Sequence, residues 1–223
     1  MDRYFRNIGA ISTEEQEKLK QCSVCIVGLG GLGGYVLELF ARLGIGSITG
    51  IDFDCFDITN LNRQLLSNES TIGCEKAVAA AERVKLINDE VKFTSIRERL
   101  TAGNASELLA GHNIVIDALD GIEARLIVSS ACADLDIPLV HGAVSGWCGQ
   151  AAVIYPGDET LERLYSLTTA QKRPPSVLPF TPAALAAFQV SLAVRVLLDR
   201  EKPEPGTLTL LDLLTCSVNE IKI

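Results

Sequence analysis

The sequence lacks an excess of positive charge: 20 Lys and Arg stand against 28 Asp and Glu, a formal net charge of -8. A nucleic-acid partner selects for a basic surface, so this balance argues against one. No apolar run reaches the ~18–20 residues that a membrane span needs. The nearest, Ala183–Leu198, is interrupted by Gln189, Ser191 and Arg195 and reads as a core helix. The polar start Met1-Asp2-Arg3-Tyr4 does not read as a signal peptide. Seven cysteines follow no disulfide rhythm, which suits a reducing cytoplasm. Internal repeats and low-complexity tracts are also missing. What is present is a chain of 223 residues, 48% hydrophobic, with a mean hydropathy of +0.25. That is enough to bury one large core, so one α/β domain is expected.

Punctuation along the chain supports this. Ser12-Thr13-Glu14-Glu15 reads as a capping box opening a helix through Leu19. Val24–Val27, Ile48–Asp52, Val91–Ile96, Ile114–Ala118, Leu139–Val144 and Ala151–Tyr155 read as strands. Leu32–Leu43, stopped by Gly44, and Glu75–Asn88, Ser106–Leu109 and Ala124–Leu135 read as helices. Alternating strand and helix predicts a doubly wound, mainly parallel sheet, with the closely spaced later strands forming an antiparallel C-terminal extension. Residues 156–182 contain five prolines and read as a long crossing loop. The expected organisation is a single domain: a helical arm at 1–21, a nucleotide-binding core at 22–155, the loop, and a C-terminal helix and strands at 183–223.

Gly28-Leu29-Gly30-Gly31-Leu32-Gly33-Gly34 contains G-x-G-x-x-G directly after a strand and opens a helix. Glycines let the backbone approach a phosphate, and the helix N-terminus supplies free N–H groups and partial positive charge. Some of these glycines could serve only tight strand–helix packing. Asp52 ends the second strand about 24 residues after Gly28, where a carboxylate can hold a ribose hydroxyl. This much fits NAD, FAD or ATP. Arg63 and Lys76 follow, and folded back toward the glycines they could clamp a triphosphate; a diphosphate would not need both. Asp120, after the buried strand ending in Ile116-Asp117-Ala118, could hold Mg²⁺ or merely cap the next helix.

The set of motifs resembles the MoeB/ThiF/HesA family, relatives of the ubiquitin-activating enzymes. It comprises Arg3–Ile8, the glycine loop, Asn60-Leu61-Asn62-Arg63-Gln64, Gly73–Lys76, Asp117–Asp120, His141–Val144 and Gly149-Gln150, in one order. Leu211–Cys216 looks like that family's last core strand. The resemblance implies a Rossmann-like fold and adenylation, by MgATP, of the C-terminal Gly-Gly carboxylate of a small ubiquitin-like sulfur-carrier protein. It implies roles for Gly28, Gly30, Gly31 and Gly33 at the nucleotide, for Asp52 at the ribose with Asp54 beside it, and for Asn60, Arg63 and Lys76 at the phosphates. Gln64 would order that cluster, Asp120 would support Mg²⁺, and Arg6 would reach into the other site of a homodimer.

Two features depart from that pattern. The paired C-x-x-C zinc ligands of many relatives are missing, and Cys22-x-x-Cys25 reads as two core cysteines on a strand, so no zinc is expected. Between Pro156 and Pro182 there is no cysteine to take over the activated carboxyl, so the chain is expected to stop at the adenylate. Cys148 is the remaining thiol candidate, in a setting that reads as a strand start. His112 and His141 show no partner constellation and read as structural, with His141 at the cleft wall. Other readings remain open: TcdA-like adenylation of a modified adenosine in transfer RNA, modification of a microcin-like peptide, and a non-catalytic Rossmann module that binds NAD or another nucleotide.

Overall fold

A computed structural model describes residues 3–166 and 176–223. Helix α1 (Thr13–Lys20) starts at the expected capping box: the Ser12 hydroxyl accepts the Glu15 N–H while the Glu15 carboxylate accepts the Ser12 N–H. The strands β1 (Ser23–Val27), β2 (Ser47–Ile51), β3 (Lys92–Ile96), β4 (Ile114–Asp117) and β5 (Leu139–Ser145) alternate with α2 (Gly33–Leu43), α3 (Lys76–Ile87), α4 (Ala105–Leu109) and α5 (Ile122–Asp134). After β5 come β6 (Cys148–Ile154), α6 (Thr160–Ser166), α7 (Phe180–Leu198), β7 (Thr207–Asp212) and β8 (Ser217–Lys222).

Among the described residues, eight strands form one sheet in the order β3-β2-β1-β4-β5-β6-β7-β8. The first five are parallel, and β6, β7 and β8 join antiparallel. This is the doubly wound sheet with an antiparallel extension that the alternation predicts. Residues of β1 and β4 are buried on both faces, which is why Val24–Val27 and Ile114–Ile116 read as apolar runs. One hydrophobic core lies between the sheet and α1, α2, α3 and α7. A second packs the other face against α4, α5 and α6. Cys22 belongs to the first core and Cys25 to the second, so the C-x-x-C pair straddles the sheet. Burial pushes both thiols above their ordinary pKa.

Three expectations need correction. Part of the crossing segment is helical: α6 is seven residues long and begins where Asp158 Oδ1 accepts the Thr160 N–H, and α7 starts at Phe180. Pro182 suggested loop but stands in the first turn of α7, where a missing N–H costs nothing. Residues 167–175 of the expected loop lie outside the described residues. The second correction follows: with three more residues α7 reaches 19, long and apolar enough to cross a membrane by length and composition. Here it packs as a core helix over α2, β5 and β6. Third, Leu211–Cys216 is strand only over its first two residues, Leu211 and Asp212. β7 ends at Asp212, whose Oδ1 accepts the N–H groups of Leu214 and Thr215 and turns the chain into β8. The apolar run Leu211–Leu214 spans a strand end and a turn, and the acid inside it decides the boundary.

Candidate nucleotide site

The C-terminal ends of the parallel strands open onto one cleft of about 590 Å³. It sits beside β1, where the strand order reverses, the place where doubly wound sheets bind ligands. At its base, Gly28 follows β1 with φ +93°, and a Cβ there would lie 2.7 Å from the Ala118 carbonyl oxygen. Gly33 starts α2 so close to this turn that a Cβ would lie 1.8 Å from the Gly28 carbonyl oxygen. Both glycines are thus required by packing. Gly28, Gly30 and Gly31 also line the cleft, so backbone and helix N-terminus are presented to its contents.

Asp52, just past β2, is buried in the cleft wall; its Oδ2 accepts the Leu29 N–H at 2.7 Å and its Oδ1 the Asp54 N–H at 2.9 Å. Each carboxylate oxygen keeps further lone-pair capacity for a sugar hydroxyl. Lys76 begins α3 and is only 7% exposed. Its ammonium is 3.3 Å from Asp54 Oδ2 and lines the same cleft. Arg63 reaches over Gly31, its Nη1 donating to the Thr59 carbonyl at 3.0 Å and to Asn62 Oδ1 at 2.9 Å. Gln64 is buried under Gly30, and its Oε1 has no hydrogen-bond partner. Its amide group lies 3.6–3.8 Å from the place of a Gly30 Cβ, under the loop expected to hold phosphate. Asp120 lines the same cleft, exposed and, among the described residues, without a side-chain partner. It does not cap α5; Gly121 holds that position with no side-chain bond.

Thus the fold brings together Gly28, Gly30, Gly31, Asp52, Asp54, Arg63, Gln64, Lys76 and Asp120, with Gly33 directly behind them. Asn60 stays outside the lining, its Oδ1 accepting the Asp57 N–H at 3.1 Å to close a short 3₁₀ turn, Ile58–Asn60. Arg6 is exposed near the C-terminal end of α2, where Tyr4 packs on Gly44, and does not line this cleft. Cys148 is exposed at the start of β6 and also lies outside the lining.

Sequence reasoning missed a polar cluster beneath the cleft. His141 does have partners and does not line the wall. It is fully buried on β5, with Nδ1 2.7 Å from Asp117 Oδ2 and Nε2 near Tyr165 Oη and Gln150 Nε2. Burial lowers its pKa, an effect that the bond to Asp117 opposes and the Arg125 charge reinforces. Arg125, buried on α5, lines the cleft and bonds to the Leu119 carbonyl and to Tyr165. Their separation in sequence left no local signal; only the meeting of polar side chains from β4, α5, β5 and α6 marks them. His112 has structural partners, the Leu109 carbonyl and the Thr49 hydroxyl.

A glycine turn, a carboxylate after β2 and two cations in one cleft define a nucleotide-binding doubly wound domain. The ThiF family profile matches residues 4–223, and the chain belongs to the ThiF family. The sulfur carrier protein adenylyltransferase of Thermus thermophilus is 33% identical over 236 residues, covering 100% of this chain and 87% of that protein. The molybdopterin-synthase adenylyltransferase of Salmonella typhimurium is 30% identical over 230 residues, covering 100% and 92%. Among solved structures, Escherichia coli MccB with ATP superposes with a TM-score of 0.85 over 100% of this chain and 71% of that one, at 20% identity, a likeness of fold alone. Escherichia coli tRNA N6-threonylcarbamoyladenosine dehydratase, TcdA, gives a TM-score of 0.76 at 25% identity over 88% and 94%.

Proposed function

We propose that this chain is an ATP-dependent adenylyltransferase acting on the C-terminal Gly-Gly carboxylate of a small ubiquitin-like sulfur-carrier protein, in the cytoplasm. The observation that carries this reading is that Lys76, Arg63, Asp120 and the glycine loop line one cleft, with Arg63 packed against Gly31. A hydride-transfer or NAD-sensing module has no use for that combination. The names of the Thermus and Salmonella relatives support the same reaction and substrate class.

In this mechanism Asp52 accepts a hydroxyl of the ribose. Glycine-loop N–H groups and the α2 terminus receive phosphate oxygens, and Gln64 Oε1 lies against that loop. Lys76 and Arg63 neutralise phosphate charge. The carrier's terminal carboxylate attacks the α-phosphorus. The bond from that phosphorus to the α,β-bridging oxygen breaks, and pyrophosphate leaves with its electron pair. A carboxylate is already a nucleophile, so no general base is needed, and positioning with charge neutralisation lowers the barrier. Asp120, an unengaged oxygen donor lining the same cleft, would support Mg²⁺ held mainly by the phosphates, where the ion would offset their charge. With Arg6 outside its own cleft, a homodimer in which it serves the neighbouring site is part of this reading.

The test is exchange of labelled pyrophosphate into ATP. Exchange should depend on a Gly-Gly-ended carrier protein and on Mg²⁺. Absence of exchange with such carriers, together with thermal stabilisation by NAD and not by MgATP, would overturn the reading. Exchange supported only by a modified transfer-RNA adenosine or by a short peptide would redirect the substrate while keeping the chemistry.

A further inference from the structure

Asp117, His141, Tyr165 and Arg125 take no direct part in the chemistry above, yet their hydrogen bonds form a closed circuit. Asp117 ends β4 and is fully buried. Its Oδ1 accepts the Leu119 N–H at 3.0 Å, and its Oδ2 accepts the His141 Nδ1–H at 2.7 Å. With the imidazole neutral and its proton on Nδ1, Nε2 is an acceptor. The Tyr165 hydroxyl stands 3.2 Å from that nitrogen. The same hydroxyl accepts a hydrogen bond from Arg125 Nη1. Arg125 Nε and Nη2 then donate to the Leu119 carbonyl. The circuit starts at the amide of Leu119 and ends at its carbonyl, and the next residue is Asp120.

We propose that Tyr165 is a positioning residue for Asp120, orienting Arg125 so that the circuit holds the Leu119–Asp120 turn. The chemistry explains the residue type. Arg125 only donates and His141 Nε2 only accepts, so a group that accepts from one and donates to the other must join them. A hydroxyl does both, and a phenol on α6 has the reach. Burial raises the Tyr165 pKa, which keeps it protonated for this bond. Arg125 is 7% exposed, so its Nη1 has little access to water if the hydroxyl is lost. Asp120 has no side-chain partner among the described residues, so its backbone decides where its carboxylate stands. The consequence for turnover rests on the adenylation reading; the consequence for the turn does not.

Tyr165→Phe is the informative variant, because it removes the hydroxyl and retains the edge-on ring contact with His141, centroids 5.8 Å apart. Two measurements are paired. Amide hydrogen exchange at Leu119–Gly121 should quicken by about five- to tenfold, the scale of one net hydrogen bond, with β1 amides unchanged. Carrier-dependent pyrophosphate exchange should lose ~10–100-fold in kcat, while KM for ATP moves less than about twofold. In an Asp120→Asn background the same substitution should cost nothing further. Unchanged exchange at Leu119–Gly121, or a full additional loss in the Asp120→Asn background, would overturn the proposal. If Tyr165→Phe does not fold, Arg125→Lys, which keeps the charge but cannot fork to Leu119 and Tyr165, serves with the same expectations. The hydrogen-exchange arm needs no nucleotide, so its failure is distinguishable from failure of the adenylation reading.

Discussion

Lys76 Nζ stands 3.3 Å from Asp54 Oδ2, and the two are unequally sheltered: the lysine side chain is 9% exposed, the aspartate 49%. A nearly buried ammonium with one half-exposed partner, opening into a cleft, is well prepared to meet a phosphate. Lys76→Met keeps the apolar stem and removes the charge. It should reduce pyrophosphate exchange by ~10²-fold or more while leaving the fold intact. Equal exchange in variant and wild type, with matching circular dichroism, would remove Lys76 from the phosphate site.

Gly33→Ala tests the strand–helix junction. The added methyl would meet backbone, the Gly28 carbonyl oxygen at 1.8 Å, so no side chain can yield to relieve it. A destabilisation of about 3 kcal/mol is expected in urea unfolding, at the upper end for overpacking, along with weakened ATP binding. Gly73→Ala makes the comparison: its Cβ meets nothing within 4 Å, so only the strain of φ +83° is added and a smaller loss is expected.

His141 predicts a pH dependence. Its folded pKa is lowered, first by burial, so below the ordinary value near ~6.5 the unfolded chain binds a proton that the folded chain refuses. Stability from this group is complete above that pH and is lost as pH falls below it, toward the folded pKa. Urea midpoints at pH 7.5 and 5.5 should therefore differ in wild type and differ less in His141→Gln. An equal drop in both proteins would assign the acid sensitivity to other groups.

Arg6 and Asp120 provide a test of shared sites. Arg6→Ala and Asp120→Ala chains should each be nearly inactive. Mixed and allowed to exchange subunits, they should recover up to about a quarter of wild-type activity, since half the dimers are mixed and each mixed dimer has one intact site. No recovery after proven subunit exchange would place Arg6 outside the neighbour's site.

Zinc analysis is the last test. The purified protein should carry no stoichiometric zinc, because Cys22 and Cys25 face different cores and no second C-x-x-C accompanies them. About one zinc per chain by elemental analysis would contradict this.

The sequence by itself determined the parallel α/β layout, the glycine turn and the acid after β2, because these depend on local rules. A strand buried on both faces is mostly apolar, and a turn this tight excludes a Cβ. The motif order was enough to gather Arg63, Lys76 and Asp120 as candidates. It could not say that Lys76 would be buried against Asp54, that Asn60 would close its own turn, or that Asp120 would leave α5 uncapped. Nor did it show β7 ending at Asp212 or α7 starting at Phe180, since apolarity and proline each fit two structures until neighbours choose. The clearest case is Asp117, Arg125, His141 and Tyr165. They come from β4, α5, β5 and α6, and no periodicity links them. They meet because β4 and β5 pair in parallel and α6 packs on α5, and burial there obliges each polar group to find the others.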